Sequence, residues 1–372
     1  MPALDRIERI CGRELQERAL RAALIEEIRA RVPCAAFVWL LTDPETCVGS
    51  APLAETPALA DLPRLIRAKY LTTVNRWTSL AAGASATLVE ATGSDRSRSR
   101  MWAELLAGYG VDDVLSTVFR DQYGCWGFLD LWRRSTPFTA GERDLLGRVA
   151  QVVTPALRRS LLATFGQGPS GPLSGDQGPS GPLSGDEGQS GHLSGEQAPT
   201  PGGSRAEPVL LLLSEDLEPV TQTAPADAYL RALLPTDADR SPVPAGAYNV
   251  AAQLLAQEDG VDGHPATARV HLGGGGWVTL RAARMPGPPA GIAVSIEPTT
   301  PAERTALYAR VAGLSEREAE LLAHLVGGSD TRELARRLFV SEHTVQDHLK
   351  SVFAKTGAAN RRVLVARATG AG

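Results

Sequence analysis

The chain has 372 residues, 43% of them hydrophobic and 22% charged, with 38 Lys+Arg against 42 Asp+Glu and a net charge of −4. Such proportions suit a soluble globular protein with room for about two or three domains, and they exclude whole-chain disorder and a collagen-like fibre. Taken whole, an acidic balance argues against nucleic acid, because phosphate binders usually carry a basic footprint.

No apolar run approaches the ~18 residues of a membrane span; the longest, Ala35–Leu41 and Val209–Leu213, are strand-sized. Asp5, Arg6, Glu8 and Arg9 interrupt any signal peptide, so a cytoplasmic protein without a membrane partner is expected. Cys11, Cys34, Cys47 and Cys125 form no CxxC pair, and every histidine follows residue 190. Neither a metal site nor a cofactor is expected from that spacing.

Residues 1–165 read as one α+β domain. Leu4, Ile7, Ile10, Cys11, Leu15, Ala22, Ile25 and Ile28 recur at helical spacing over 4–30. Ala35–Leu41 reads as a strand, and Leu59–Leu71 and Arg100–Ala107 as helices. Val114–Phe119 and Cys125–Trp132 read as a hairpin around Gln122-Tyr123-Gly124. Thr139 and Glu142 form a capping box that starts a helix running past Pro155. Trp126, Phe128 and Trp132 alternate along one strand and suit core packing better than a ligand pocket.

A ten-residue repeat follows: GPSGPLSGDQ, GPSGPLSGDE and GQSGHLSGEQ over 168–197. One leucine per repeat cannot offset the entropy of ordering the chain, so 166–206 reads as a flexible linker. Residues 207–300 form a second α+β block. Its strands are Val209–Leu213, Ala268–Leu272, Trp277–Ala283 and Gly291–Glu297, and its helices Ala226–Leu234 and Ala245–Gln257. Asp216–Glu218 marks a tight turn and Gly273–Gly276 a hairpin tip. A five-stranded sheet with helices on one face would satisfy this pattern. His264 and His271 lack ligand spacing and read as surface residues. In element order the first block resembles GAF sensory domains and the second PAS domains. The GAF resemblance permits a small-molecule effector at residues 1–165: a cyclic nucleotide, an aromatic, haem or none.

Residues 308–372 carry the clearest signal. Ser315 and Glu318 form a capping box, with Leu321, Leu322 and Leu325 on the inner face of the helix, which Gly327-Gly328 ends. Asp330 starts a second helix with Leu334, Ala335 and Leu338 inward. Phe339-Val340 separate it from Ser341, which caps a third. Two short helices joined so tightly form a helix-turn-helix. Val345, Leu349, Val352 and Phe353 fall on one face of the third helix, and His343, Gln346, Asp347, Lys350 and Ala354 on the other. An exposed polar face there would enter the major groove. Gln346 suits adenine, Lys350 guanine and Asp347 the cytosine amine, with His343 beside them. Arg332, Thr344, Lys355 and Arg361 lie near helix ends and suit phosphates, which set register. Asn360 caps a fourth helix.

The string LSEREAELLAHLVGGSDTRELARRLFVSEHTVQDHLKSVFAKTGAANR closely resembles the LuxR-type helix-turn-helix family. The resemblance implies double-stranded DNA as partner, base reading just after Thr344-Val345, and a homodimer through the fourth helix. Phe339 stands where the family's turn usually has a small residue, and Asp347 where an apolar or basic one is frequent. Residues after 300 carry 11 Lys+Arg against 8 Asp+Glu, a charge of +3, so the first 300 carry −7. The acidity thus belongs to the N-terminal blocks.

The reading is a multidomain transcriptional regulator with N-terminal sensory control, and no enzyme motif such as HExxH or GxSxG is found. RNA polymerase is an expected protein partner. The alternative is a sensory adaptor whose C-terminal unit docks on protein instead of DNA.

Overall fold

The computed structural model describes residues 2–166, 208–233, 245–272, 276–287 and 290–370. The repeat linker and most of the Gly273–Gly276 tip lie outside the described residues.

The chain begins with α1 (Pro2–Cys11) and α2 (Glu17–Arg29), where one helix over 4–30 was expected. The Gly12 amide closes on Glu8, and Gln16 is extended, with ψ 151°. Glycine is a poor helix former, so the periodic pattern continues across a break. The elements β1 (Ala36–Thr42), β2 (Gly49–Glu55), α3 (Leu62–Leu71), β3 (Ser85–Thr87), α4 (Leu88–Thr92) and α5 (Arg100–Glu104) follow. Then come β4 (Asp113–Asp121), β5 (Gly124–Arg133) and α6 (Ala140–Thr164). Both halves of the Thr139–Glu142 capping box form, as the spacing predicts.

These strands make an antiparallel sheet in the order β2-β1-β5-β4-β3. One face, carrying Phe37, Trp39, Leu115, Leu129 and Leu131, packs on α1, α2 and α6. The other packs on α3 and its neighbours through Ala36, Leu40, Val118, Phe128 and Trp132. The register shifts where Arg120 pairs with Cys125, leaving Trp126 as the extra residue. A bulge reverses the side-chain alternation there. Trp126 therefore joins the α6 face, while Phe128 and Trp132 lie on the opposite one. All three are core residues, but they do not share a face.

The second block comprises β6 (Val209–Leu213), β7 (Pro219–Gln222), α7 (Ala226–Leu233), α8 (Ala245–Glu258), β8 (Thr267–His271), β9 (Trp277–Met285) and β10 (Gly291–Pro298). Its five strands run β7-β6-β10-β9-β8, all antiparallel. Counted within each block, both sheets have the order 2-1-5-4-3.

Helix α8 joins the blocks. Buried residues encircle it, from Ala247 and Tyr248 to Gln253 and Leu255. A helix apolar all round must be enclosed, and α8 lies between β9 of its own sheet and α3 and β2 of the first. Buried polar pairs cross the same boundary. Arg269 holds both carboxylate oxygens of Asp43 at 2.7 Å, and its amide donates to Asp43 as well. Arg76 meets Asp262 at 2.8 Å and Gln253 at 2.9 Å. Burial alone would raise the Asp43 carboxyl, but the bonds from Arg269 outweigh it and hold it below the usual range. Neither expected surface histidine is on open surface. His264 Nδ1 lies 2.6 Å from Asp262, and burial, then the charge of Arg304, pushes His271 down to about 4.

The C-terminal part comprises α9 (Pro301–Val311), α10 (Glu316–Val326), α11 (Thr331–Arg337), α12 (Glu342–Thr356) and α13 (Arg361–Thr369). Among the described residues, no helix is long and apolar enough to cross a membrane.

Candidate nucleic-acid interface

Local signals build the C-terminal unit one helix at a time. Ser315 Oγ accepts from the Glu318 amide at 3.3 Å, and Glu318 Oε2 accepts from the Ser315 amide at 2.7 Å. Gly328, at φ 88°, lets the chain leave α10 while the Ser329 amide returns to His324. Asp330 accepts from the Glu333 amide at 2.8 Å and starts α11. Leu338, Phe339 and Val340 form the turn, and Ser341 accepts from the Thr344 amide at 3.1 Å to start α12. Phe339 occupies the left-handed region at φ 53° and is 93% exposed. A glycine there would meet no such strain.

Helix α12 divides as the sequence predicts. Val345, Leu349 and Val352 are buried, against α10 and α11. His343, Gln346, Asp347 and Lys350 are exposed together on the opposite face, at i, i+3, i+4 and i+7. Asp347 lies 3.6 Å from His343 Nε2 and 3.5 Å from Lys350 Nζ. Contacts this long between exposed groups are weak, so all four side chains remain free to meet a ligand.

The expected phosphate contacts have different surroundings. Arg332 opens α11, exposed and without a carboxylate partner among the described residues. Thr344 lies in the first turn of α12 with its hydroxyl 2.9 Å from Ser341. Arg361 opens α13 with one buried guanidinium nitrogen that has no partner among the described residues. These three residues surround helix N-termini, where backbone amides favour anions. Lys355 differs: its ammonium lies 2.6 Å from Glu318 Oε2, and Ser351 Oγ lies 2.6 Å from Oε1. Burial alone would raise the Glu318 carboxyl, but Lys355, Ser351 and Ser315 hold it at about 2. The charge of Lys355 is spent inside the unit, clamping α12 to α10.

Helix α9 was not anticipated. A second capping box, Thr300 with Glu303, starts it, with Pro301 in its first turn. It packs against α10, α13 and α6. Arg310 donates to the Tyr123 carbonyl at 3.0 Å, and Glu303 pairs with Arg281 of β9. The α9–α10 turn needs Gly313: at φ 67°, a Cβ there would lie 2.6 Å from the Arg158 guanidinium. Helix α9 thus touches both sheet blocks, while the polar face of α12 stays uncovered.

A capped helix-turn-helix with an exposed polar stripe defines a DNA-binding module. Residues 312–368 match the family described as bacterial regulatory proteins, luxR family. That match supports a DNA-binding transcription regulator. No curated protein matches the chain.

Proposed function

We propose that the chain binds a specific duplex sequence through α12 and regulates transcription under control of its two sheet blocks. The observation that carries this reading is the α12 stripe: four polar side chains exposed on a helix whose other face is core. In this reading Gln346 pairs with adenine, Lys350 with guanine and Asp347 with the cytosine amine, with His343 at the near edge. Arg332, Thr344 and Arg361 hold phosphates, and Lys355 acts as a clamp instead. One unit at +3 binds duplex weakly, so two copies on a two-fold site are needed for useful affinity. The N-terminal blocks serve as sensory modules. Their shared strand order and their contacts with α9 support that role.

Selection of the full chain against a randomised duplex pool at two salt concentrations tests the reading. An enriched sequence and a salt-dependent affinity are expected. Lys350→Ala should relax preference at one base pair, whereas Arg332→Ala should weaken all sequences and lower the salt slope by about one. No enriched sequence together with no salt dependence refutes DNA binding.

A further inference from the structure

Three parts of the chain meet around one cleft. Its walls include Thr42 and Trp126 of the first block, Leu161 of α6, His271 and Trp277 of the second block, and Leu307 of α9. Its enclosed space is about 80 Å³, and it opens to solvent at its mouth. A smaller cavity inside the first block, about 20 Å³, is lined by Lys69 and Ser116, both engaged by Asp130. It has less room and no ionic group to offer.

The larger cleft has unmet groups. Trp277 is 7% exposed, and its indole N–H has no acceptor among the described residues. His271 Nε2 is buried and has no partner among them either. Leaving such groups buried without partners is costly. The other charged residues lining the cleft are satisfied: Glu17 holds Arg21, and Arg269 holds Asp43 and Glu45. Arg304 is not. It is 5% exposed, has no ion pair among the described residues, and lies 4.8 Å over Phe165 and 5.9 Å over Trp277. An uncompensated buried cation behind an aromatic wall favours an anion in the cleft. Leu41, Leu157, Val270 and the two indoles favour an apolar, flat body.

We propose that this cleft is the effector site, and that it takes a small aromatic carboxylate. The acid group would sit towards His271, Trp277 and Arg304, and the ring between Trp126 and Leu161. The proposal rests on the sensory reading above and gives it a place: a ligand here touches both sheet blocks and the helix that carries the DNA-binding unit.

Calorimetric titration of the full chain with benzoate, phenylacetate, salicylate and naphthoate, with benzamide as neutral comparator, tests it. At least one carboxylate should bind saturably and more tightly than benzamide. Trp277→Phe keeps the ring but removes the donor, and should weaken binding about tenfold. Leu161→Trp should fill the cleft and abolish binding. Trp102→Phe, whose indole donates to Val111 elsewhere, should change nothing. Absence of binding by every carboxylate, or binding indifferent to both cleft variants, overturns the site. Duplex affinity measured with and without the bound carboxylate should differ; an unchanged affinity overturns the effector role. Duplex binding without any carboxylate is a separate measurement, so failure of the DNA reading is distinguishable from failure of the cleft.

Discussion

Replacing Lys355 by methionine separates two roles that its sequence position leaves open. The change removes the ammonium and keeps most of the stem. Glu318, whose side chain is 5% exposed, then loses its cation but keeps the Ser315 amide and the Ser351 hydroxyl. Stripping one partner from a buried pair costs about 3–5 kcal/mol. Lys355 is 36% exposed and two hydrogen bonds remain, so about 2 kcal/mol is expected here. Hydrogen exchange in the full chain reads this locally: protection of α10 and α12 amides should fall about 30-fold. The salt slope of duplex binding should stay as in the parent. Unchanged protection with a slope lower by about one would refute the clamp and restore a phosphate contact. The clamp also titrates with a known sign. With Glu318 at about 2 in the folded unit and about 4.3 unfolded, its contribution is complete above the unfolded value. It is lost as pH falls towards 2, and Lys355→Met should flatten that part of the stability profile.

Asp347→Asn removes a negative charge from the face that would be turned to DNA in the proposed complex, so non-specific duplex affinity should rise several-fold. If Asp347 accepts from a cytosine amine, preference at that pair should weaken, which a repeat of the pool selection measures. Phe339→Gly relieves a left-handed residue and should raise the stability of the C-terminal unit by up to about 1 kcal/mol, seen as slower exchange in α11 and α12. His271→Phe bears on acid stability. Burial and then Arg304 push the imidazole down to about 4, against about 6.5 unfolded. The unfolded chain therefore binds the extra proton, and stability should fall as pH drops through that window, by about 2–3 kcal/mol. The phenylalanine variant should lose this leg in acid melting profiles; an unchanged profile would mean that the imidazole is not what titrates.

The C-terminal helices from α10 onward were legible because each starts with its own chemistry: Ser315, Asp330, Ser341 and Asn360 all cap as their spacing predicts. Helix α9 carries the same signal in Thr300 and Glu303, but it starts directly after β10, where the strand pattern hides a helix start. Strands β2 and β3 were harder to see. β2 holds a proline and no alternation, and β3 has only three residues. They exist because β1 and β4 offer unpaired edges, which is a tertiary cause. The bulge at Trp126 and the bond between Glu318 and Lys355, 37 residues apart, have no local signature at all. Nor does the cleft, whose lining residues come from both sheet blocks and α9.

The placement of α9 changes how a signal would travel. From composition alone, the first block is tethered to the rest by a Gly/Pro/Ser repeat, which transmits force poorly. In the folded chain the first block reaches the DNA-binding unit directly, through α6, Tyr123 and Arg310. The second block reaches it through Arg281 and Glu303 and through Trp277 beside Arg304. The two blocks are themselves joined by α8 and by buried pairs such as Asp43 with Arg269. A displacement in either block therefore bears on one helix, and that helix packs on α10 and α13 while leaving α12 uncovered. Control acting through this contact would alter how the unit is held, and with it the pairing of two copies on a site, without having to cover the base-reading face. Because one unit carries only +3, affinity in the proposed two-copy complex would depend steeply on that pairing.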